Sequence, residues 1–420
     1  MSVSVVCGVN WGDEGKGRMV DYLSSSADVV VRYQGGNNAG HTVVNEHGKF
    51  ALHLVPSGIF RRDVLNILGP GVLIDPEGLT RELTELEDRG VDTSNLLVSN
   101  RAMVCFPFHR QLDQLEEVRL GARAYGSTKN GIAPAYGDVY LKKGVRIGEL
   151  LANPKQAIEQ VLDWANLRLE KVYGAAPLRI AELLSWCEQH VPQLERRIKD
   201  TTPILDRAAR DKKHILLEAQ LGALRDVHFG IYPYTTSSCC LAEYGPIGAG
   251  LFGHGVDRVI GVMKAFSTCV GEGPFVSRMD DEDASGLREI AQEYGATTGR
   301  PRSIGHFDAV ASRYGVRVQG ATEVALTKLD SLSGRSKLQI CTHYEWNGQR
   351  SDEFPLTSAL HQAKPVYETH PGWHQDVTGC RSFAALPREA QAYVERIEAL
   401  VGCTIRYVSV GPERDQLIQR

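Results

Sequence analysis

Residues 12–17, with the sequence Gly-Asp-Glu-Gly-Lys-Gly, combine the residue types that bind phosphate. Glycines let backbone N–H groups approach phosphate oxygens, a lysine adds positive charge, and the N-terminus of a following helix attracts anions. The segment departs from the usual phosphate loop, G-x-x-x-x-G-K-[ST]. Asn10 stands where that loop has its first glycine, and Gly17 stands where it has the metal-binding hydroxyl. We therefore predict a phosphate site whose metal is held by another group.

Asp13 lies inside this loop, where a carboxylate would repel phosphate. The position suits a carboxylate that meets a cation or removes a proton, although a lone Gly-Asp pair can also be a turn that caps a helix. A second polar glycine loop, residues 34–41, carries Asn37, Asn38 and His41. An imidazole beside a phosphate can act as a general acid or stabilise a transferring phosphoryl group. The two loops together predict phosphoryl-transfer chemistry.

Further segments suggest what else is bound. Residues 327–330, Thr-Lys-Leu-Asp, follow an apolar run and resemble the guanine-reading loop of GTPases, which favours GTP over ATP, although a lone K-x-D is often a surface turn. Residues 296–302 contain two threonines and two arginines, a combination suited to carboxylate or phosphate capture. The hydroxyl-rich segments 126–131 and 234–238 suit a monophosphate, or are ordinary turns.

The elements that must position these loops form an α/β pattern. Apolar runs predict strands at residues 3–9, 27–32, 64–68, 96–99, 214–217, 324–326, 338–341 and 405–410. Helical periodicity predicts helices at residues 18–25, 110–122, 154–173, 180–213 and 387–400. The two glycine loops follow the first two strands, so we expect them to meet at the carboxyl edge of one parallel sheet. Residues 1–420 are predicted to form a single domain with a mainly helical insertion at about 100–210.

The bulk composition excludes several other classes of protein. The formal charge is −4 and no dense Lys/Arg block occurs, so a broad nucleic-acid surface is not expected. No run of about 18 apolar residues and no basic, then apolar, start is present, which predicts a cytoplasmic protein without membrane spans. Nine scattered cysteines without a C-x-x-C pair predict reduced, structural thiols and no zinc site.

These segments, in this order, resemble the adenylosuccinate synthetase family from end to end, most specifically through W-G-D-E-G-K-G at residues 11–17 and Q-G-G-N-N-A-G-H-T at residues 34–42. The resemblance implies a large, mostly parallel central sheet flanked by helices, as in P-loop NTPases. It implies a GTP-dependent ligase that joins L-aspartate to IMP through a 6-phosphoryl-IMP intermediate, giving adenylosuccinate, GDP and phosphate, the first committed step of AMP synthesis from IMP. Mg²⁺ is the implied cofactor, and a homodimer is the implied assembly.

The resemblance also implies residue roles. Asp13, Lys16 and His41 are the expected catalytic residues, and the Asp13 carboxylate and Gly40 carbonyl the expected metal ligands. The expected GTP site comprises Gly12, Asp13, Glu14, Gly15, Lys16, Gly17, Arg18, Gly40, His41, Thr42, Arg302, Lys328, Leu329, Asp330, Ser409, Val410 and Gly411. The expected IMP site comprises Asp13, Glu14, Gly15, Lys16, Asn38, Ala39, Gly40, His41, Thr128, Lys142, Gln220, Leu221, Thr236 and Arg300. The expected aspartate site comprises Ala296, Thr297, Thr298, Gly299, Arg300, Pro301 and Arg302.

The sequence also departs from the family pattern. The family motif E-G-A-Q-G aligns with residues 218–222, so Leu221 stands where a glutamine amide contacts the 6-oxo region of the base, and Gln220 is one position away. Lys142 stands where the family has an arginine that crosses to the partner's phosphate site, which keeps the charge and loses the fork.

Three more departures are Cys239 for asparagine, Cys269 for the arginine of T-R-V-G, and His306 for tryptophan. We expect these changes to cluster around the nucleotide and aspartate pockets rather than the GTP loops. They keep open a paralogue that acts on another purine nucleotide, such as GMP or dGMP, or on an aspartate analogue. Related phage enzymes act on dGMP but lack the catalytic aspartate, whereas Asp13 is present here. A GTP-binding regulator without catalysis is the alternative outside the enzyme class.

Overall fold

The computed structural model describes residues 2–45, 47–295 and 299–420, and in that part of the chain strands alternate with helices. The strands are β1 (Ser2–Gly8), β2 (Val29–Arg32), β3 (His41–Asn45), β4 (Gly48–Leu52), β5 (Leu65–Leu68), β6 (Leu73–Ile74), β7 (Leu96–Ser99), β8 (Met103–Val104), β9 (Ile198–Lys199), β10 (His214–Gly222), β11 (Arg258–Lys264), β12 (Ser267–Cys269), β13 (Ser303–Gly305), β14 (Phe307–Asp308), β15 (Glu323–Thr327), β16 (Lys337–Trp346), β17 (Gln349–Ser351), β18 (Lys364–Pro371), β19 (Ile405–Ser409) and β20 (Leu417–Gln419). The helices are α1 (Lys16–Leu23), α2 (Pro76–Asp88), α3 (Pro107–Leu120), α4 (Ile132–Tyr140), α5 (Ile147–Ala152), α6 (Pro154–Leu167), α7 (Ile180–His190), α8 (Thr202–Arg210), α9 (Gly245–Ala249), α10 (Asp281–Ala291), α11 (Ala309–Gln319), α12 (Thr357–Leu360) and α13 (Arg388–Val401).

A ten-stranded sheet forms the centre of the fold, in the order β20-β19-β15-β11-β1-β10-β2-β5-β7-β9. Its neighbouring strands run parallel, except that β20 runs antiparallel to β19. Strand β1 lies in the middle and all but its first residue is buried, because an apolar strand in a parallel sheet is covered on both faces. The predicted mostly parallel central sheet is confirmed.

Strand polarity brings the predicted loops together. Strand β10 pairs in parallel with both β1 and β2, so the two glycine loops leave the same edge of the sheet. Strands β15 and β19 are parallel neighbours on the other side of β1, and the segments that follow them leave at the same edge. The carboxyl edge therefore collects four of the sequence segments that were singled out for ligand binding.

One predicted element was wrong in part, and another was confirmed in a sheet that the sequence did not predict. The helix predicted over residues 180–213 is interrupted: α7 ends at His190, Pro192 starts a short 3₁₀ turn, and β9 joins the sheet before α8 begins. The strand predicted at residues 338–341 forms, but it belongs to β16 in a separate four-stranded sheet with β14, β17 and β18.

Residues 107–210 are mainly helical and contain α3 to α8. One buried apolar cluster joins side chains of this region, such as Phe108 and Ile158, to side chains of the sheet, such as Leu96 and Val98. The helical region thus shares a core with one wing of the sheet, which favours a single domain with an insertion, although that division stays a prediction. Within the described residues, no helix combines the length and apolar character needed to cross a membrane.

Candidate active site

Glu14 shapes the phosphate loop between β1 and α1. Its Oε1 accepts hydrogen bonds from the backbone N–H groups of Asn10 (3.1 Å) and Gly12 (2.8 Å), and its Oε2 lies 2.7 Å from Lys16 Nζ. Glu14 and Lys16 are both almost fully buried. Gly12 and Asp13 have positive φ values of 102° and 60°, so the chain turns sharply at the carboxylate. Glu14 was predicted from the sequence to contact ligands. In the structure its side chain also stabilises the loop backbone.

Gly17 explains why the usual hydroxyl of a phosphate loop is missing. A Cβ atom at Gly17 would lie 2.8 Å from Cβ of His41 and 3.2 Å from Oγ of Ser57. The first distance is too short for two carbon atoms, so a serine or threonine fits only if the β3 strand moves away. Glycine at this position lets α1 and the strand that carries His41 pack directly against each other.

His41 is paired with Glu218, which lies on β10. The imidazole Nδ1 is 2.6 Å from Glu218 Oε1, and the same carboxylate accepts hydrogen bonds from the N–H (2.8 Å) and hydroxyl (2.6 Å) of Ser57. Burial lowers the pKa of His41 below 6.5, although Glu218 opposes that shift. Burial favours the neutral form of Glu218, but the hydrogen bond and charge of His41, together with Arg32, hold its pKa below the ordinary value. The pair therefore orients the ring and leaves Nε2 available.

Sequence reasoning found His41 and missed Glu218. The available signal was an acidic residue at the end of a buried apolar strand, Ile-Leu-Leu-Glu, where a carboxylate must have a partner. Its partner lies 177 positions away in the chain, and only the folded sheet brings the two together.

Asp13 meets Arg302 across the edge of the sheet. Arg302 Nε lies 3.0 Å from Asp13 Oδ2, and the same guanidinium pairs with Glu293. Glu293 is fully buried and also lies 2.6 Å from Lys264 Nζ. Burial lowers the pKa of Lys264 to about 8, against the opposing effect of Glu293. Two buried cations thus share one carboxylate, and Asp13 supplies the second negative charge of the group.

The remaining residues of the predicted aspartate site fall into two groups. Ala296, Thr297 and Thr298 lie outside the described residues. Gly299, Arg300 and Pro301 are exposed.

A cavity of about 420 Å³ opens beside these groups, a volume within the range of small-molecule sites. Its wall includes six of the predicted site residues: Asp13, Asn38, Gly40, Thr128, Leu221 and Thr236. The hydroxyl-rich segments 126–128 and 234–237 both lie in this wall. The cavity therefore joins the phosphate loop to the two segments that were predicted to hold a monophosphate.

Leu221 and Gln220 face different surroundings because β10 bulges. Val6 of β1 pairs with Glu218 and Gly8 pairs with Gly222, so β10 has two more residues than β1 over this stretch. Leu221 has a φ of 60° and lies in the cavity wall. Gln220 is buried, and its Oε1 accepts hydrogen bonds from Arg32 (2.7 Å) and from the N–H of Gly36 (3.0 Å). An apolar side chain thus lies in the wall, and the neighbouring amide supports the second glycine loop.

The residues predicted to bind guanine lie together beyond the phosphate loop. The Leu329 N–H donates to the Ser409 carbonyl (3.2 Å), and the Ser409 hydroxyl donates to the Gly411 carbonyl (3.1 Å). Arg18 on α1 contacts the Ser409 hydroxyl and the Gln416 carbonyl. Val410 is buried behind these groups.

The segment 327–330 is anchored at both ends. The Thr327 hydroxyl donates to the Glu14 carbonyl (2.6 Å), which ties the segment to the phosphate loop. Lys328 has a φ of 64° and its Nζ donates to the Ala291 carbonyl (2.7 Å), while Leu329 is fully buried. Burial raises the pKa of the Asp330 carboxyl, although the charges of Lys328 and Arg18 oppose the shift.

Five further residues were singled out in the sequence. Thr42 and Lys142 are exposed, and Lys142 has a φ of 62° just beyond α4. Cys269 is buried beside Arg225, which lines the cavity. Cys239 and His306 are half-buried, and neither is among the cavity-lining residues.

Within the described parts of the chain, no group of three or more His, Cys, Asp or Glu side chains could hold a metal ion. Mg²⁺ usually takes one or two carboxylates and completes its shell with water and substrate phosphate oxygens. Asp13 and the Gly40 carbonyl lie in the wall of one cavity, beside the phosphate loop. This donor set fits a magnesium ion carried mainly by a nucleotide.

A parallel sheet with a modified phosphate loop, a guanine-type loop and a nucleotide-sized cavity at one edge defines an α/β nucleotide-dependent enzyme. The family model described as adenylosuccinate synthetase matches residues 5–418. The chain therefore belongs to the adenylosuccinate synthetase family, as the sequence resemblance predicted.

Individual relatives agree over the full length. The chain is 48% identical to adenylosuccinate synthetase 2 of Pseudoalteromonas translucida (strain TAC 125), over 99% of each chain. It is 46% identical to adenylosuccinate synthetase of Parafrankia sp. (strain EAN1pec), over 100% of this chain and 99% of the relative. The fully ligated adenylosuccinate synthetase from Plasmodium falciparum superposes with a TM-score of 0.94, at 32% identity and with all of both chains covered.

Proposed function

We propose that the protein joins L-aspartate to IMP at the expense of GTP and releases adenylosuccinate, GDP and phosphate. The observation that carries the proposal is the position of Asp13. Its carboxylate lies at the left-handed bend of the phosphate loop, in the wall of a nucleotide-sized cavity, with His41–Glu218 packed against the adjoining helix. One carboxylate thus lies between a site for GTP phosphates and a site for an acceptor nucleotide.

In the first step Asp13 takes the proton from N1 of IMP, which makes O6 a better nucleophile. The O6–P bond forms as the bond between the γ-phosphorus and the β-phosphate oxygen breaks, and GDP leaves. In the second step the aspartate amine attacks C6, the C6–O6 bond breaks, and phosphate leaves. Asn38, Thr128 and Thr236 hold the 5′-phosphate. Arg302, anchored by Glu293, and the neighbouring residues 296–301 receive the aspartate carboxylates.

His41 assists the phosphoryl transfer. Glu218 fixes the ring through Nδ1, which leaves Nε2 to meet a phosphate oxygen. A buried, neutral imidazole gains a proton when an anion binds beside it, and Glu218 stabilises the imidazolium that results. His41 thereby supplies positive charge only when the phosphate is in place.

Mg²⁺, held by Asp13 and the Gly40 carbonyl, would neutralise charge on the GTP phosphates. Lys142 is exposed, and the neighbouring Tyr140 and Leu141 are exposed apolar residues. These features support a homodimer in which Lys142 reaches the partner's phosphate site.

A second candidate rests on Leu221. Its side chain cannot make the hydrogen bonds that an amide offers to the 6-oxo region of a purine. Loss of that contact keeps open another acceptor, such as GMP or dGMP, which share the 6-oxo group of IMP and differ from it at C2, or an aspartate analogue.

Phosphate release from GTP tests both candidates. The reactions contain Mg²⁺, L-aspartate and, separately, IMP, GMP or dGMP, and the Asp13→Ala variant is the blank. Turnover with IMP alone supports adenylosuccinate synthesis. Turnover only with another nucleotide supports the paralogue. Release with none of them, together with tight GTP binding, supports a regulator and refutes both.

A further inference from the structure

Arg225 is a buried arginine in the cavity wall that the proposed chemistry does not use. It ends the short 3₁₀ turn that follows β10. Its guanidinium donates to the backbone carbonyls of Tyr234, Val270 and Glu272 (3.0 Å for Glu272), and Nη2 lies 3.0 Å from the Cys269 Sγ. One side chain thus binds two loops that are about 35 residues apart in the chain, both of which line the cavity.

The charge of Arg225 is not neutralised by the protein. In the described part of the chain no carboxylate forms an ion pair with its guanidinium, and its partners are carbonyls and a thiol. A buried cation without a counter-ion is costly unless something anionic occupies the space beside it. The adjoining cavity supplies that space, and the ligands expected there are anions.

Cys269 provides the room for this arrangement. The family pattern T-R-V-G has an arginine at the position of Cys269, whereas this chain has a thiol there. The thiol is buried, and burial raises its pKa, so it remains neutral against the guanidinium. Two guanidinium groups at this spot would overlap and repel each other.

We propose that Arg225 is a positioning residue that replaces, from a different strand end, the guanidinium that the family places at 269. The inference rests on the proposed function, because it concerns the acceptor-nucleotide cavity. The Arg225 carbonyl also accepts a hydrogen bond from the N–H of Thr236 (2.8 Å), so backbone and side chain together hold the segment 234–237. Arg225 therefore governs binding of the nucleotide monophosphate rather than of GTP.

A double-mutant cycle tests the exchange. The variants are Arg225→Met, Cys269→Arg and the double variant, and the readouts are KM and kcat for IMP, KM for GTP, and IMP affinity by calorimetry. We expect Arg225→Met to raise the KM for IMP about 10- to 50-fold with kcat changed less than about threefold, since hydrogen bonds to a charged group are lost. We expect Cys269→Arg alone to raise the KM for IMP to a similar extent. In the double variant the KM for IMP should return to within about threefold of the value for the unmodified chain. Such a recovery would show strong coupling between the two positions.

Arg225→Lys is the matched control, because it retains the charge and loses the fork. Its KM for IMP should lie between the values for Arg225→Met and for the unmodified chain. Thermal melting and the KM for GTP should stay near the original values in every variant. If Arg225→Met is unfolded, a lower KM for IMP in the folded double variant than in Cys269→Arg still shows that loss of the Arg225 guanidinium is tolerated when position 269 carries one.

The proposal is overturned if the effects of the two single variants simply multiply in the double variant, or if kcat falls and the KM for GTP rises in parallel with the loss of IMP binding. Failure of the proposed function is a separate result. It would appear in the unmodified chain as an absence of IMP binding and turnover, and the cycle would then be measured with the nucleotide that binds.

Discussion

The two halves of the site have diverged from the family pattern to different extents. The GTP half consists of the phosphate loop and the ends of β15 and β19, and its motif residues Lys16, Asp330 and Gly411 match the resemblance. The predicted acceptor half is the cavity beyond Asp13, with Leu221 in its wall and Cys269 beside the wall residue Arg225, two positions for which the resemblance implies a glutamine and an arginine.

The difference suggests in which half a substitution disturbs fewer other parts of the site. In the GTP half, one side chain supports several loops: Thr327 is bonded to Glu14, and Glu14 holds both Lys16 and the loop backbone. A substitution there disturbs the metal, the phosphates and the base together. In the predicted acceptor half, Cys269 and Arg225 contact each other and not the phosphate loop. A substitution there is expected to affect acceptor binding more than the donor loops.

The largest expected effect lies at the junction of the two halves. Asp13→Asn removes the proton acceptor and retains the size of the side chain, so kcat should fall about 10³-fold. The KM for GTP should rise as well, because Asp13 is also a proposed Mg²⁺ ligand, and both values are measured by phosphate release. Retention of more than about a tenth of the activity would show that Asp13 only shapes the loop.

In the GTP half, His41→Asn should lower kcat about 10²-fold with little effect on the melting temperature. The pKa of His41, followed by NMR, should lie below 6.5 in the ligand-free protein. Because this pKa is depressed, folding stability should decrease as the pH falls from 6.5 towards the lowered pKa, and His41→Asn should remove that part of the slope. Glu218→Gln should lower the pKa of His41 further, and a rise would contradict the pairing.

Base recognition in the GTP half should depend on Asp330. Asp330→Asn replaces one carboxylate acceptor with an amide donor, so the KM for GTP should rise about 10- to 100-fold. The KM for IMP should stay within about twofold, which separates the two halves in steady-state kinetics. An equal rise in both values would mean that the segment 327–330 supports the whole edge instead of reading guanine.

The smallest effect is expected at Leu221 in the acceptor half. Leu221→Gln supplies an amide at the cavity wall that can contact the 6-oxo group, so the ratio of its kcat/KM for IMP to that of the unmodified chain should be about 3 to 10. Leu221→Met is the matched control for size and should leave kcat/KM for IMP unchanged. An identical rise in both variants would assign the effect to packing.

The sequence predicted most of what depends on local pattern. Apolar runs located β1, β2, β10, β15 and β19, and the glycine loops located the carboxyl edge. It missed β11 (258–264), although this strand pairs with β1 at the centre of the sheet. Strand β16 was predicted, but its place in a separate sheet was not, because pairing between distant strands leaves no trace in local periodicity.

In the site, too, contacts between residues that are distant in the chain could not be predicted. His41, Asp13 and Arg302 could be proposed from the types of their neighbours and from the family motif. The contacts of Glu218 and Arg225 could not be predicted, since Glu218 acts through His41 in a distant part of the chain and Arg225 acts through backbone carbonyls. A backbone carbonyl has no residue type, so sequence cannot reveal an arginine that binds three of them.

The contact between Gly17 and His41 has an evolutionary consequence. At this position the chain can have either the hydroxyl of an ordinary phosphate loop or a histidine-bearing strand packed against the helix, because the two occupy the same space. A single substitution to serine would displace the histidine before the new hydroxyl had a metal to bind. A hydroxyl residue at position 17 therefore requires a compensating shift of β3, so the two kinds of phosphate loop differ by more than one substitution.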